Sequence, residues 1–311
     1  VRIVFMGTPD YALKTLKALH SAGHEIAAVF CQPDKPVGRK QILTPPPVKV
    51  YAINNSIPVF QPTTLKSEEI QNTIKEINPD VIAVVAYGKI LPQEILDIPR
   101  LGCVNGHGSL LPKLRGASPI QWAIVTGEKV TGVTTMFMDK GMDTGDILET
   151  METEIAENET AEELFERMGD ITASLMVSTL QKLENGEITP KKQDESKATY
   201  APIIKKEMAL INFNETAKQI CDKIRGFYSW PCAYFTIDNK RVKVLSARLS
   251  GKTDKAPGVV IENDKKLIIS AGDGLSVEML TVQMEGKKAM SAEMMLNGNS
   301  IALGTVVNCN A

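Results

Sequence analysis

The chain has 311 residues, 43% hydrophobic and 23% charged, which is ample apolar material for a core and rules out low-complexity disorder. Its 35 Lys and Arg against 37 Asp and Glu leave a formal charge of -2, excluding a histone-like coating of nucleic acid while leaving local basic patches open. Five scattered cysteines without a CxxC pair, three histidines and no apolar run near the roughly 20 residues of a membrane helix argue against a zinc site, a disulfide framework or a bilayer span, and point to a reducing, cytoplasmic compartment.

The first apolar run, Ile3 to Met6, ends at Gly7 and is followed by a helical pattern in Tyr11, Leu13, Leu16 and Leu19. Gly23 closes that helix and Glu25 to Cys31 supplies a second run, a β-α-β unit whose buried strands predict a parallel sheet. Gly7-Thr8-Pro9 is neither GxGxxG nor a Walker loop, so dinucleotide or ATP binding has little support. Gln32 to Lys49 is proline-rich, basic and without a usable period, and reads as a long loop. A helix over Ser67 to Ile77 and strands at Val81 to Ala86, Gly102 to Val104, Gly132 to Met138 and Ile147 to Ile155 continue the α/β rhythm. A capping box, Thr160 to Glu163, then opens a long helix that Gly186 ends.

The polar, lysine-rich stretch 190–206 has the texture of a linker, so the chain divides into a domain over 1–189, a linker over 190–206 and a second domain over 207–311. The second domain opens with a helix at about Glu215 to Arg225, followed by five short strands that suggest a small barrel. It holds 13 Lys and Arg against 11 Asp and Glu, a surplus of the right sign for an anionic partner.

Chemistry concentrates after the Gly102 to Val104 strand. In an open parallel sheet ligands bind beyond the carboxyl ends of strands, and there Asn105 and His107 place an amide and an imidazole two residues apart. Such a pair suits donation to a developing oxyanion and handling of a proton. The acidic turn after the next strand holds Asp139, Asp143 and Asp146, any of which would orient His107 or position a water; spacing does not choose among them.

Asn105-x-His107-x-Ser109-Leu-Leu-Pro-x-x-Arg115-Gly116, with Met138-Asp139-x-Gly141-x-Asp143-Thr144-Gly145-Asp146, closely resembles the 10-formyltetrahydrofolate-dependent formyltransferase family. The opening IVFMGTPDYA, the VVAYGKILP run from Val84 to Pro92 and the SWPCAYF segment from Ser229 to Phe235 resemble its tRNA-directed branch, and the match spans essentially the whole chain. The resemblance implies a Rossmann-like parallel-sheet domain followed by an OB-like barrel. It implies Asn105, His107 and Asp143 as the catalytic trio, Ser109, Leu110, Leu111 and Pro112 with Lys89, Ile90 and Leu91 as the folate-binding positions, and no metal. Two positions depart from the family pattern: Gly106 stands where an aliphatic residue is usual, and Leu114 replaces a common aromatic.

The activity implied is transfer of the formyl group of 10-formyltetrahydrofolate, a co-substrate, to the α-amine of initiator methionyl-tRNA, by a monomer without a membrane partner. Lys35, Arg39 and Lys40 in the basic loop resemble positions that meet the tRNA acceptor stem, and Lys240, Arg241, Lys243 and Arg248 are candidates for a backbone-tracking surface. The alternatives are a sibling enzyme acting on an amino-sugar nucleotide or purine precursor, a formylfolate hydrolase, and a non-catalytic OB-type nucleic-acid-binding protein.

Overall fold

A computed structural model describes residues 1–38, 40–298 and 301–308. The elements run β1 (Arg2–Gly7), α1 (Asp10–Ser21), β2 (Glu25–Phe30), β3 (Lys35–Val37), β4 (Ile42–Thr44), α2 (Pro47–Asn54), β5 (Val59–Phe60), α3 (Glu68–Ile77), β6 (Val81–Val85), α4 (Gln93–Leu96), β7 (Cys103–His107), β8 (Arg115–Gly116), α5 (Pro119–Val125), β9 (Val130–Phe137), β10 (Ile147–Glu154) and α6 (Ala161–Glu184). They continue with β11 (Tyr200–Ala201), α7 (Ala217–Gly226), β12 (Tyr234–Ile237), β13 (Lys240–Lys252), β14 (Val260–Glu262), β15 (Leu267–Ser270), β16 (Leu275–Met284), β17 (Met290–Ser291) and α8 (Ala292–Gly298). Among the described residues no helix is long and apolar enough to cross a membrane.

The chain forms two compact units. The first comprises Val1–Pro119, Val130–Glu154 and Phe165–Pro202, the second Ile120–Lys129, Ile155–Leu164 and Ile203–Ala311.

The first unit is built on a seven-stranded sheet of order β10-β9-β7-β6-β1-β2-β5. The strands from β7 to β5 are parallel, whereas β9 runs antiparallel to β7 and β10 antiparallel to β9. Side chains alternate across it. Ile3, Phe5, Ala83 and Val104 pack with Leu16 of α1 and Met176 and Leu180 of α6, while Val4, Met6, Ile82 and Val84 pack with Ile74 of α3 and Ile95 of α4. Helices on both faces account for the near-continuous apolar runs of the central strands. The chain winds outward from β1 through β2 and β5, then returns past β1 to β6 and β7, so the crevice at the strand carboxyl ends lies where the order reverses.

Two expectations need correction. Gln32 to Lys49 is not a featureless loop: β3 and β4 pair as a two-stranded hairpin, with Lys35 opposite Thr44 and Val37 opposite Ile42, and α2 begins at Pro47. Three-residue strands are too short to display an alternation, and Pro36 is tolerated in a ribbon that no third strand joins. The strand at Gly102 to Val104 also runs on, through Asn105 and Gly106 to His107.

In the second unit the strand path is β12-β13-β16-β15-β14, antiparallel throughout, with β17 beside β16. Register shifts along β13 mark bulges, which bend a strand and curl its sheet. Ile220 and Ile224 of α7 and Met295 of α8 close the core formed by Phe235, Val244, Leu267, Val277 and Val282. Thr216 caps α7 through a reciprocal capping box with Gln219, and Thr160 and Glu163 bracket the start of α6 as their spacing predicts.

Candidate active site

Three segments of the first unit converge at the carboxyl end of β7. The strand itself brings Asn105 and His107. Being two apart on an extended chain they share one face, opposite the face of Val104 and Gly106 that packs toward α6. An added Cβ on Gly106 would meet Thr172 Cγ2 at 2.8 Å and Met176 Cε at 3.3 Å, so α6 occupies the room an aliphatic residue would need. Thr172 is itself held, accepting or donating at 2.6 Å with the Tyr11 hydroxyl, whose pKa burial pushes up to about 12. Gly106→Ala is therefore expected to cost about 1–3 kcal/mol by overpacking, and Thr172→Ser, which removes Cγ2 and keeps the hydroxyl, to restore most of it; paired thermal melts of the single and double variants check this.

His107 is 6% exposed. Its Nε2 lies 3.0 Å from the Leu114 carbonyl, and since a carbonyl only accepts, Nε2 is the protonated nitrogen. Nδ1 is left facing the Asp143 carboxylate, with Oδ2 at 3.6 Å. The same Oδ2 accepts the Gly116 N–H at 2.8 Å. The carboxylate therefore lies beside the one His107 ring nitrogen that the Leu114 carbonyl leaves free.

The turn after β9 also resolves which aspartate reaches His107. Asp139 accepts from the Gly141 N–H at 2.9 Å and the Thr144 hydroxyl at 2.7 Å, capping its own turn, and Asp146 lies 3.5 Å from Lys192 Nζ. Asp143 sits at a left-handed φ of +55°, which swings its side chain toward β7.

Asn105 is half-buried, and among the described residues nothing hydrogen-bonds its amide. The loop after β7 is well anchored: Thr134 donates to the Ser109 carbonyl at 2.7 Å and accepts the Leu111 N–H at 3.1 Å, while the Ser109 hydroxyl donates to the Lys113 carbonyl at 2.6 Å. Leu110 and Pro112 are partly exposed, and Leu111 is buried. Beyond β6, Ile90 is 80% exposed and Leu91 is packed into the core, whereas Lys89 donates to the Pro62 and Thr63 carbonyls. Partial burial holds the Lys89 amine below its usual range.

Lys35 and Lys40 are exposed on the β3–β4 hairpin beside exposed Val37, Ile42 and Leu43, and Arg39 lies outside the described residues. Arg241 stacks over the Tyr234 ring at 4.1 Å, and Arg248 is engaged with Glu278 at 2.8 Å. Lys240 is exposed and Lys243 half-exposed on the same strand.

Sequence reasoning missed the partners of Arg115. This side chain is 1% exposed, and its fork reaches Gln193 at 2.8 Å and, bidentately, Glu195 at 2.7 and 2.8 Å. Both partners come from the stretch that reads as a linker, which pairs β11 with β8. The available signal is chemical: a buried guanidinium demands an acceptor, and the stretch from Asn105 to Gly116 contains no acid.

Residues 1–180 match the model of the formyl transferase family, and residues 203–300 match that of the formyl transferase C-terminal domain. The chain belongs to the formyl transferase family. Members to which it is similar include the methionyl-tRNA formyltransferase of Thermodesulfovibrio yellowstonii, 45% identical over 302 residues covering 97% of each chain. The methionyl-tRNA formyltransferase of Acidobacterium capsulatum is 46% identical over 304 residues, covering 97% of this chain and 98% of its own. Among solved structures, an N-formyltransferase from Helicobacter canadensis in complex with folinic acid and dTDP-3-aminofucose shares the fold with a TM-score of 0.68 at 23% identity, covering 91% of this chain and 99% of its own. The methionyl-tRNA formyltransferase from Clostridium thermocellum does so with a TM-score of 0.57 at 22% identity, covering 91% and 98%.

Proposed function

We propose that the protein transfers the formyl group of 10-formyltetrahydrofolate to the α-amine of methionyl-tRNA, giving the N-formylmethionyl-tRNA used to initiate translation in the cytoplasm. The observation that carries this reading is the near-full-length identity of about 45% to methionyl-tRNA formyltransferases, supported by Asn105, His107 and Asp143 lying around the carboxyl end of β7. The unpartnered Asn105 amide on β7 and the exposed Ile90 beyond neighbouring β6 suit a heteroaromatic ring bearing polar groups, as the pterin of the folate does. We assign folate contact to Lys89, Ile90 and Leu91, chiefly through backbone for the buried Leu91, and to Ser109 through Pro112.

In this mechanism the α-amine attacks the formyl carbon, and the resulting oxyanion takes hydrogen bonds from the Asn105 amide and from the His107 ring at Nδ1. Nδ1 serves because Nε2 is occupied by the Leu114 carbonyl. Asp143 receives the proton lost by the amine and relays it to N10, which leaves poorly as an anion, so that the bond from the formyl carbon to N10 breaks with a neutral amine departing. Asn105, His107 and Asp143 are thus the catalytic residues of the proposal.

For the acceptor, we assign tRNA contact to the β3–β4 hairpin with Lys35, Arg39 and Lys40, and to the C-terminal sheet, which we read as an OB-like barrel. Exposed lysines beside exposed Val37, Ile42 and Leu43 suit a phosphate backbone flanking unpaired bases. Neutralising Lys35 and Lys40 to glutamine is expected to raise KM for methionyl-tRNA several-fold and flatten its salt dependence by up to about two logarithmic units of slope, with KM for the folate unchanged.

The test is transfer of labelled formyl from 10-formyltetrahydrofolate, offered in parallel to methionyl-tRNA, uncharged tRNA, an amino-sugar nucleotide, glycinamide ribonucleotide and buffer. Label on methionyl-tRNA alone is the expected result. Label on a small amine, or release of free formate without an amine, overturns the acceptor.

A further inference from the structure

We propose that Gln193 is a positioning residue for formyl transfer: it locks the turn that presents the Asp143 carboxylate to His107, and Arg115 with Glu195 holds it in register. This rests on the reading of Asn105, His107 and Asp143 as the reacting groups.

The turn is one that needs holding. Asp143 occupies left-handed backbone space, φ +55°, which a residue with a Cβ adopts only when its surroundings over-determine it. Gln193 grips the turn from outside, its Nε2 donating to the Asp143 carbonyl and to the Gly145 carbonyl, both at 2.8 Å. Its Oε1 accepts from Arg115 Nε at 3.1 Å and from Nη2 at 2.8 Å. Both donors and the acceptor of the side-chain amide are therefore in use, and a flipped amide would set N–H groups against a guanidinium and oxygen against two carbonyls.

Arg115 cannot turn away, because two of its three remaining donors meet Glu195 bidentately at 2.8 and 2.7 Å in a setting that leaves the side chain 1% exposed. That pairing holds the Glu195 carboxyl below the usual range and raises the Arg115 guanidinium. Gly116, the next residue of β8, donates its N–H to Asp143 Oδ2 at 2.8 Å. One two-residue strand thus holds Asp143 twice, directly by the carboxylate and through Gln193 by the backbone. Pairing of Tyr200 with Arg115 and of Ala201 with Gly116 fixes the segment that carries Gln193 to that strand.

None of Gln193, Arg115 or Glu195 touches the reacting atoms in this arrangement. Their effect comes through the placement of one carboxylate, and misplacement by about 1 Å of a group in a catalytic constellation costs on the order of a hundredfold.

The decisive variant is Gln193→Glu, which retains an acceptor for Arg115 and presents oxygen to the two turn carbonyls. It is expected to lower kcat for formylation of methionyl-tRNA by about 30- to 100-fold, with KM for 10-formyltetrahydrofolate and for methionyl-tRNA within about twofold of the wild type. Gln193→Met, neutral and of similar length, guards against a variant that does not fold and is expected to act in the same direction.

The chain has three histidines, so side-chain ¹⁵N spectra resolve His107 from His20 and His24. The His107 ring signals are expected to move in both variants and those of the other two to stay. A lowered melting temperature with unchanged kcat per folded molecule overturns the proposal, and so does a lowered kcat with unmoved His107 signals. Should wild-type protein fail to formylate methionyl-tRNA, the functional reading falls on that result alone, and the His107 signals still decide whether Gln193 sets the Asp143 turn.

Discussion

His107→Ala is expected to lower kcat for formyl transfer by at least about a thousandfold while leaving methionyl-tRNA binding within about twofold of the wild type. Loss of a single oxyanion donor is worth on the order of 3 kcal/mol, and loss of a positioned acid or base typically a further 10²- to 10⁴-fold, though effects within one constellation do not multiply. The substitution also has a structural cost. The Leu114 carbonyl loses the Nε2–H donor at 3.0 Å, and a buried acceptor left unsatisfied costs about 1–3 kcal/mol. Melting must therefore be measured with turnover, and kcat taken well below the transition. Wild-type turnover by the folded variant would remove His107 from the reaction, whereas a loss of tRNA binding equal to the loss of rate would move it to the acceptor surface.

What was legible in the sequence follows from the range of each interaction. The sheet of the first unit shows itself because β1, β2 and β6 are buried on both faces and so read as near-continuous apolar runs, and Cys103-Val104 opens β7 in the same way. Asn105 and His107 stand out as polar residues at the end of such a run. Their being on the strand itself is harder to see, since Asn and Gly are poor strand formers and only pairing with Val84, Met136 and Thr135 keeps the chain extended there. The choice of Asp143 over Asp139 and Asp146 depends on which carboxylate the turn consumes internally, which spacing does not encode. Gln193 and Glu195 lie 78 and 80 residues from Arg115, in a stretch whose composition matches any solvated linker. Their role rests on a two-residue strand pairing that leaves no periodic trace. In the second unit, alternation in Tyr234–Ile237 and Val242 to Leu249 marks the strands, while β17 and α8 are too short to announce themselves.

Gly145→Ala tests the turn from the opposite side to Gln193, and its expected effect on the fold is the largest of any substitution considered. A Cβ at this position would sit 1.7 Å from the Phe137 carbonyl oxygen and 2.7 Å from its carbon, backbone atoms of the β9 end and not the tip of a flexible side chain. Phe137 has little freedom to withdraw: it is paired with Val104 of β7, and its N–H donates to the Asp146 carbonyl at 2.9 Å. Relief must come from the turn, which means breaking that bond or pulling the Asp143 and Gly145 carbonyls off Gln193. The expected cost is at least about 3 kcal/mol, with a fall in melting midpoint of about 6–12 °C for a unit of this size. Because Asp143 is two residues away in the same turn, formyl transfer should fall about a hundredfold even at temperatures where the variant is fully folded. The two effects separate by experiment. A destabilised variant that retains wild-type kcat at low temperature with unmoved His107 ring signals would mean that the turn shifts without moving the carboxylate, whereas retained kcat with those signals displaced would argue against Asp143 as a reacting group. Loss of rate with the His107 ring signals displaced in the same direction as in Gln193→Glu would place both substitutions on one physical cause, the distance between Nδ1 and Oδ2.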